Sequence, residues 1–268
     1  MRAIALVAGA VFRESVRDRV PFGMVIFATL LLGASFLIAQ LTAGQDMKII
    51  KDLGLAALSI FGLLIAVFIG IGLVSKEVER KSIYALITKP ISREQFILGK
   101  YAGLVFTLIT NLSAMTAVFY LVLLYMNATT SEIARQAWPA PAMDPRLLVA
   151  VTLILAELMV VTALALFFST FSSPLLSTVL TLGFWVAGHF SEDLRQFNQV
   201  VEMPIAAWIA KALYYVLPNL SPFDIKAEVV HGMPVPAMHV AYTLAYAVLY
   251  ISILLLGAIA IFRRRDFK

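Results

Sequence analysis

Leu147–Phe171 reads LLVAVTLILAELMVVTALALFFSTF, an apolar run that contains a single ionisable side chain, Glu157. A bilayer's hydrocarbon core is about 30 Å thick and needs about 20 predominantly apolar residues to cross it as a helix. This run is long enough. The rest of the chain excludes the alternative of a buried helix in a soluble protein. Of 268 residues, 61% are hydrophobic and only 14% are charged, with a mean hydropathy of +0.92. A soluble domain carries about a quarter charged residues. A chain this apolar has too little polar surface to face water all round, so lipid must be the solvent for much of it.

Working outward, five further runs have the same character. They are Phe22–Leu41, Leu53–Val74, Tyr101–Met126, Pro174–Phe190 (the short one) and Val240–Phe262. Helices are expected, because backbone polar groups must be satisfied inside the bilayer. A transmembrane barrel would show strands of about ten residues with strict alternation, which is absent. The expected fold is therefore an all-α membrane protein with six transmembrane helices in one domain over 1–268.

Lys and Arg collect on cytoplasmic loops. Here they gather at Arg2, Arg13, Arg17 and Arg19, at Lys76, Arg80, Lys81, Lys89, Arg93 and Lys100, and at Arg263, Arg264, Arg265 and Lys268. In a six-span plan these three groups lie on one side, so both ends are expected in the cytoplasm. The net charge of +5 belongs to this pattern and does not call for nucleic acid.

Residues 1–20 do not resemble a cleavable signal, since Arg13, Glu14, Arg17, Asp18 and Arg19 follow the apolar stretch. Ile4, Val7 and Val11 share a helical face. The segment reads as an amphipathic helix lying in the cytoplasmic interface, the alternative being a charged extension of the first span. Outside, Ala43–Asp52 is expected to be a short connection, and Asn127–Arg146, with Pro139, Pro141 and Pro145, to be irregular. The segment 191–239 is long and interrupted by five prolines. Its stretch Ile205–Leu217 is too short to span and is either a re-entrant helix or an ordinary extracytoplasmic helix packed on the spans.

Several chemistries find no support. There are no cysteines, so disulfides and thiolate metal sites are excluded. The one Gly-Lys pair, Gly99-Lys100, is followed by Tyr101 and makes no phosphate loop. No Gly-x-Ser-x-Gly elbow occurs. His231, Met233, Met238 and His239 are a loose group of soft ligands beside prolines, and no metal is assigned to them. In the spans, Glu157 stands out with Asn111 and Ser113 as candidate polar partners. Either they are polar glue between helices, or Glu157 is a gate, a substrate contact or a proton-linked switch.

The functional signal lies in residues 75–100, SKEVERKSIYALITKPISREQFILGK. This loop is rich in charge, yet it also holds Ile83, Tyr84, Leu86, Ile87, Ile91, Phe96 and Ile97. A solvated linker would not need that apolar content. It reads as a short amphipathic helix ending near Pro90, a turn, and a helix leading into the third span. Glu77-Val-Glu79-Arg80-Lys81-Ser82, Leu86, Lys89-Pro90-Ile-Ser92-Arg93 and Gly99-Lys100 resemble the coupling-helix loop of type 2 ABC exporter permeases. The likeness extends to the six-span plan, the N-terminal helix, the long segment before the last span and the run Phe167–Ser172.

That resemblance implies a separate cytoplasmic ABC ATPase subunit that binds ATP and magnesium, with no cofactor in this chain. It also implies a second permease chain, most simply in a homodimer, within a bacterial inner membrane and in contact with its lipids. Glu77, Glu79, Arg80, Lys89, Pro90 and Arg93 would then contact the ATPase or shape the loop, and Ile83, Leu86 and Ile87 would form its docking face. The implied function is export of a lipid-like or amphipathic cargo by a chain that is not itself an enzyme. Three other classes compete: a membrane anchor or mechanotransmitter of an ATPase, a secondary transporter, and a membrane enzyme.

Overall fold

A computed structural model describes residues 2–17, 46–79, 92–136, 138–191 and 217–264, together with the isolated positions 25, 26, 29, 30, 33 and 37. Among the described residues all regular structure is helical. The elements are α1 (Arg2–Arg17), α2 (Asp46–Glu79), α3 (Arg93–Thr129), α4 (Glu132–Gln136), α5 (Arg146–Ser169), α6 (Pro174–His189), a 3-10 turn (Ser221–Phe223), α7 (Lys226–Val230) and α8 (Ala237–Arg264).

Four of these helices are long and apolar enough to cross a membrane: α2 over Met47–Ile71, α3, α5, and α8 over Ala237–Arg263. The protein is thus a helical protein of membrane type. With 16 residues, α6 extends only about 24 Å at 1.5 Å per residue, short of the roughly 30 Å hydrocarbon core. Most of the expected first span, 22–41, and most of Ile205–Leu217 lie outside the described residues.

The organising element is α5. It packs against α2, α3, α6, α7 and α8, and most of its side chains are buried, from Leu147 to Ser169. This explains why its sequence is apolar all round. The outer helices show the opposite pattern. On α6 the fully buried residues are the small or polar Ser177, Thr181 and Gly188, while Leu175, Val179 and Val186 face outward. Phe106, Leu121 and Leu124 of α3 and Val248, Leu249, Ile253 and Leu256 of α8 are likewise exposed. Apolar side chains lining the outside of several helices suit lipid and not water.

The tight turn between α5 and α6 follows from FSTFSSP. Thr170 Oγ1 donates to Phe167 O at 2.7 Å and Ser172 Oγ to Phe168 O at 2.8 Å, satisfying the last carbonyls of α5. Pro174 then opens α6, where a missing N–H costs nothing.

Three sequence expectations change. Ala43–Asp52 is not simply a connection, because α2 already begins at Asp46. Met47 and Ile50 are fully buried, and so is Lys51, whose Nζ donates to Pro141 O at 2.7 Å and Ala140 O at 3.4 Å. The carbonyls of a turn whose proline nitrogens cannot donate thus receive an ammonium from the first turns of α2. Lys51→Ala is expected to lower unfolding free energy by about 2 kcal/mol, through a lost charged hydrogen bond and lost stem packing. Thermal unfolding in detergent would show it.

Secondly, Asn127–Arg146 is not irregular throughout, since α3 runs to Thr129 and α4 follows. Its remainder is held by Arg146 Nη1 donating to Gly232 O at 2.5 Å. Gly232 has a φ of +71°, and a Cβ there would lie 3.1 Å from Ala140 Cβ. The left-handed backbone favours glycine, and the space beside Ala140 is tight. Thirdly, the apolar stripe of α1 meets α3 and not lipid. Val7 and Val11 are buried, and Phe12 lies edge-on to Phe106 at 6.3 Å.

Candidate functional site

The loop 75–100 reaches the structure at its two ends. Glu77 and Glu79 belong to the last turn of α2, and no side-chain geometry is described for them. Arg80, Ile83, Leu86, Ile87, Lys89 and Pro90 lie outside the described residues. Ser92 caps α3: its Oγ accepts from Gln95 N at 3.3 Å, and Gln95 Oε1 accepts from Ser92 N at 3.2 Å. This reciprocal pair satisfies two free donors and sets where the helix starts.

Arg93 and Glu94 occupy the first turn of that helix. The Arg93 guanidinium donates to Phe262 O at 3.2 Å and Arg263 O at 2.8 Å, the carbonyls near the end of α8. A helix C-terminus has free carbonyls and partial negative charge, so a guanidinium is the group best suited to hold it. Glu94 forms an ion pair with Arg263. Beneath these, Phe96 stacks on Phe262 with centroids 5.9 Å apart, and Lys100 Nζ lies 4.7 Å from the Phe96 ring centre. Both Phe96 and Lys100 are buried.

One turn on, α3 meets α1. A Cβ on Gly99 would stand 2.7 Å from Val7 Cβ, and one on Gly103 2.7 Å from both Ala8 O and Val11 Cβ. Successive contacts advance together along both helices, so α1 runs beside α3 in the same sense. The small residues four apart allow this close approach. The start of α3 is therefore fastened on one side to α1 and on the other to the end of α8. Moving it moves both.

A second polar constellation lies deep in the bundle. Glu157 is 1% exposed. Its Oε1 accepts from Trp185 Nε1 at 2.7 Å and lies 3.5 Å from His189 Nε2, both on α6. Its other oxygen, Oε2, is buried and has no hydrogen-bond partner among the described residues. His189 Nδ1 lies 3.1 Å from Trp185 O, and the two rings are 4.8 Å apart. Asn111 does not join this group. Its Nδ2 donates to Thr107 O of its own helix at 2.8 Å, and Ser113 faces outward. Of the His231, Met233, Met238 and His239 group, each histidine has one ring nitrogen on a backbone carbonyl: His231 Nδ1 on Ala227 O and His239 Nε2 on Pro222 O. Among the described residues no group of three or more His, Cys, Asp or Glu is placed to hold a metal.

The family described as "Protein of unknown function (DUF2705)" matches residues 21–268. The chain belongs to this family. The match takes in α2 through α8 and both polar constellations; α1 precedes it. No curated protein matches the chain.

Sequence reading singled out Arg93 and Glu157 but missed what they touch. The Trp185–His189 spacing of four residues, with Ser177 and Thr181 on the same face of α6, was the available signal for the second site. Four-residue steps place side chains on one helical stripe. The contact of Arg93 with Phe262 and Arg263 had no such signal, because it joins chain segments far apart.

Proposed function

We propose that this chain is the membrane-spanning permease subunit of an ABC exporter. It crosses a bacterial inner membrane six times with both ends in the cytoplasm, and ATP is hydrolysed on a separate subunit. Two copies form the path, and loop residues 77–93 sit against the ATPase. The cargo is a lipid-like or amphipathic molecule leaving the cytoplasm or inner leaflet. The chain supplies no catalytic residue of its own.

One observation carries this reading beyond the resemblance of the loop: the fastening of Arg93, Glu94 and Phe96 to the end of α8, with Gly99 and Gly103 against α1. A coupling segment must turn displacement by a partner into movement of several spans. Such coupling requires differential contacts in two conformations, carried by packed elements and not by a loose loop. A loop leading directly into a clamped helix suits that task.

Affinity purification from native membranes in mild detergent tests the reading. A stoichiometric subunit bearing a phosphate loop is expected to accompany the chain. Reproducible recovery without any nucleotide-binding partner would remove the reading's basis. In the complex, alanine at both Glu79 and Arg93 is expected to depress cargo-stimulated ATPase activity while leaving the protein folded.

A second reading, a secondary transporter, is favoured by the buried acid and histidine, since intramembrane ionisable groups often serve proton or ion relays. It predicts transport in liposomes holding this chain alone.

A further inference from the structure

Elementary hydrogen-bond chemistry constrains the proton count of the Glu157 constellation. A carbonyl oxygen only accepts, so the 3.1 Å contact of His189 Nδ1 with Trp185 O is a hydrogen bond only when Nδ1 carries hydrogen. A neutral imidazole protonated there presents a bare lone pair at Nε2. That nitrogen faces Glu157 Oε1 at 3.5 Å, and a carboxylate oxygen is also only an acceptor. Two bare acceptors do not hold one another. One proton between them resolves the conflict, whether drawn as imidazolium with carboxylate or as carboxylic acid with imidazole. The two forms have the same proton count and differ only in which atom holds the proton.

The surroundings make that proton consequential. Glu157 is 1% exposed, and among the described residues Oε2 has no hydrogen-bond partner, so none of them steadies an unpaired carboxylate from that side. The other charges acting on it are Lys226 and Asp224, which pair with each other at 3.3 Å. Glu228 is the remaining acid of α7. The charged residues of α2, α3 and α8 lie near the ends of those helices. His189 is the accessible member, with 22% of its side chain exposed, on the last residue of α6.

We propose that Glu157 and His189 form an intramembrane proton-binding site that is loaded through the His189 end of α6 and holds α6 against α5. With the proton present, the pair and the Trp185 bond join the two helices. As pH rises and the proton leaves, the bare carboxylate and imidazole repel, and the outer part of α6 loosens from α5. The site stands whether or not an ATPase drives the chain.

Trp185 lies within the site and reports on it directly. In full-length protein in lipid nanodiscs carrying Trp138→Phe and Trp208→Phe, Trp185 emission is expected to follow a single one-proton sigmoid. The transition should span about two pH units. Glu157→Gln keeps an acceptor for the indole but holds no proton, and should flatten the curve. His189→Gln should do the same. A flat profile in the single-tryptophan parent, or a sigmoid that survives Glu157→Gln, overturns the proposal. If Glu157→Gln fails to fold, infrared difference spectra of the parent decide the matter. A buried carboxyl or imidazolium band that disappears in step with the Trp185 transition supports the site, and no pH-dependent band rejects it.

Discussion

Valine at Gly103 is expected to detach α1 from the protein. A Cβ there meets the backbone oxygen of Ala8 and Val11 Cβ, each at 2.7 Å, and Val11 Cγ1 at 2.8 Å. Contacts under 3.0 Å force something to move, and neither a helix backbone nor a buried Val11 can rotate away. Valine's further methyl groups enlarge the conflict, so the helices must part. Overpacking a close interface costs about 1–3 kcal/mol. The alternative to repacking is release of α1, which is short enough to come free as a unit. Trypsin cleavage at Arg13 and Arg17 should accelerate about tenfold or more, and the melting temperature should fall. Valine at Gly183 is the control, because nothing lies within 4 Å of a Cβ there. Equal trypsin sensitivity of the two variants would show that α1 is not held by this contact.

The second large effect is expected at Arg93. Replacing it with alanine removes two hydrogen bonds from a cation to the last carbonyls of α8, and Glu94→Ala removes the adjoining ion pair with Arg263. A hydrogen bond to a charged group contributes about 1.5–3 kcal/mol when shielded from water, and less at a surface. Arg93 lies at the edge of the bundle, so about 1.5 kcal/mol for the pair of bonds is a reasonable scale. That corresponds to a tenfold shift in how often the two helix ends stay joined. The chain should remain folded, since Phe96 and Phe262 still stack. Under the export reading, stimulation of the ATPase by the permease should drop about tenfold in the double variant. Because the chain has no cysteines, spin labels placed on α3 and α8 through introduced cysteines, away from the Ser92–Gln95 cap, would read the same change as a broadened distance distribution. Full stimulation alongside a broadened distribution would separate the clamp from the coupling.

Much of the helical plan was legible because each apolar run carries its own signal. The stretches 101–126 and 240–262 fall within α3 and α8, 53–74 falls within α2, and 147–171 runs two residues past the end of α5 at Ser169. A membrane helix satisfies its backbone internally, so hydropathy alone marks it. The helix ends were less legible. Asp46–Asp52 looks polar enough for a loop, and the carbonyls of Ala140 and Pro141 help make Lys51 at home in a buried turn. The stripe Ile4, Val7, Val11 announced an amphipathic helix correctly, but a stripe does not say whether lipid or another helix covers it. Here the glycines of α3 decide, by leaving room for a backbone.

The sequence by itself determined that this is a helical membrane-type chain without a phosphate loop or thiol chemistry. Those properties depend on composition, run length and the presence of single residues. It also marked Glu157 as anomalous, because one acid in an apolar run needs no neighbours to be noticed. Only the tertiary structure decided what each polar group meets. Trp185 and His189 reach Glu157 across 28 and 32 positions of chain, and Phe262 and Arg263 reach Arg93 across 169 and 170. Which side chains meet across such distances depends on the rotation and height of packed helices. A helix's own sequence leaves both open, and burial of the whole bundle sets them together.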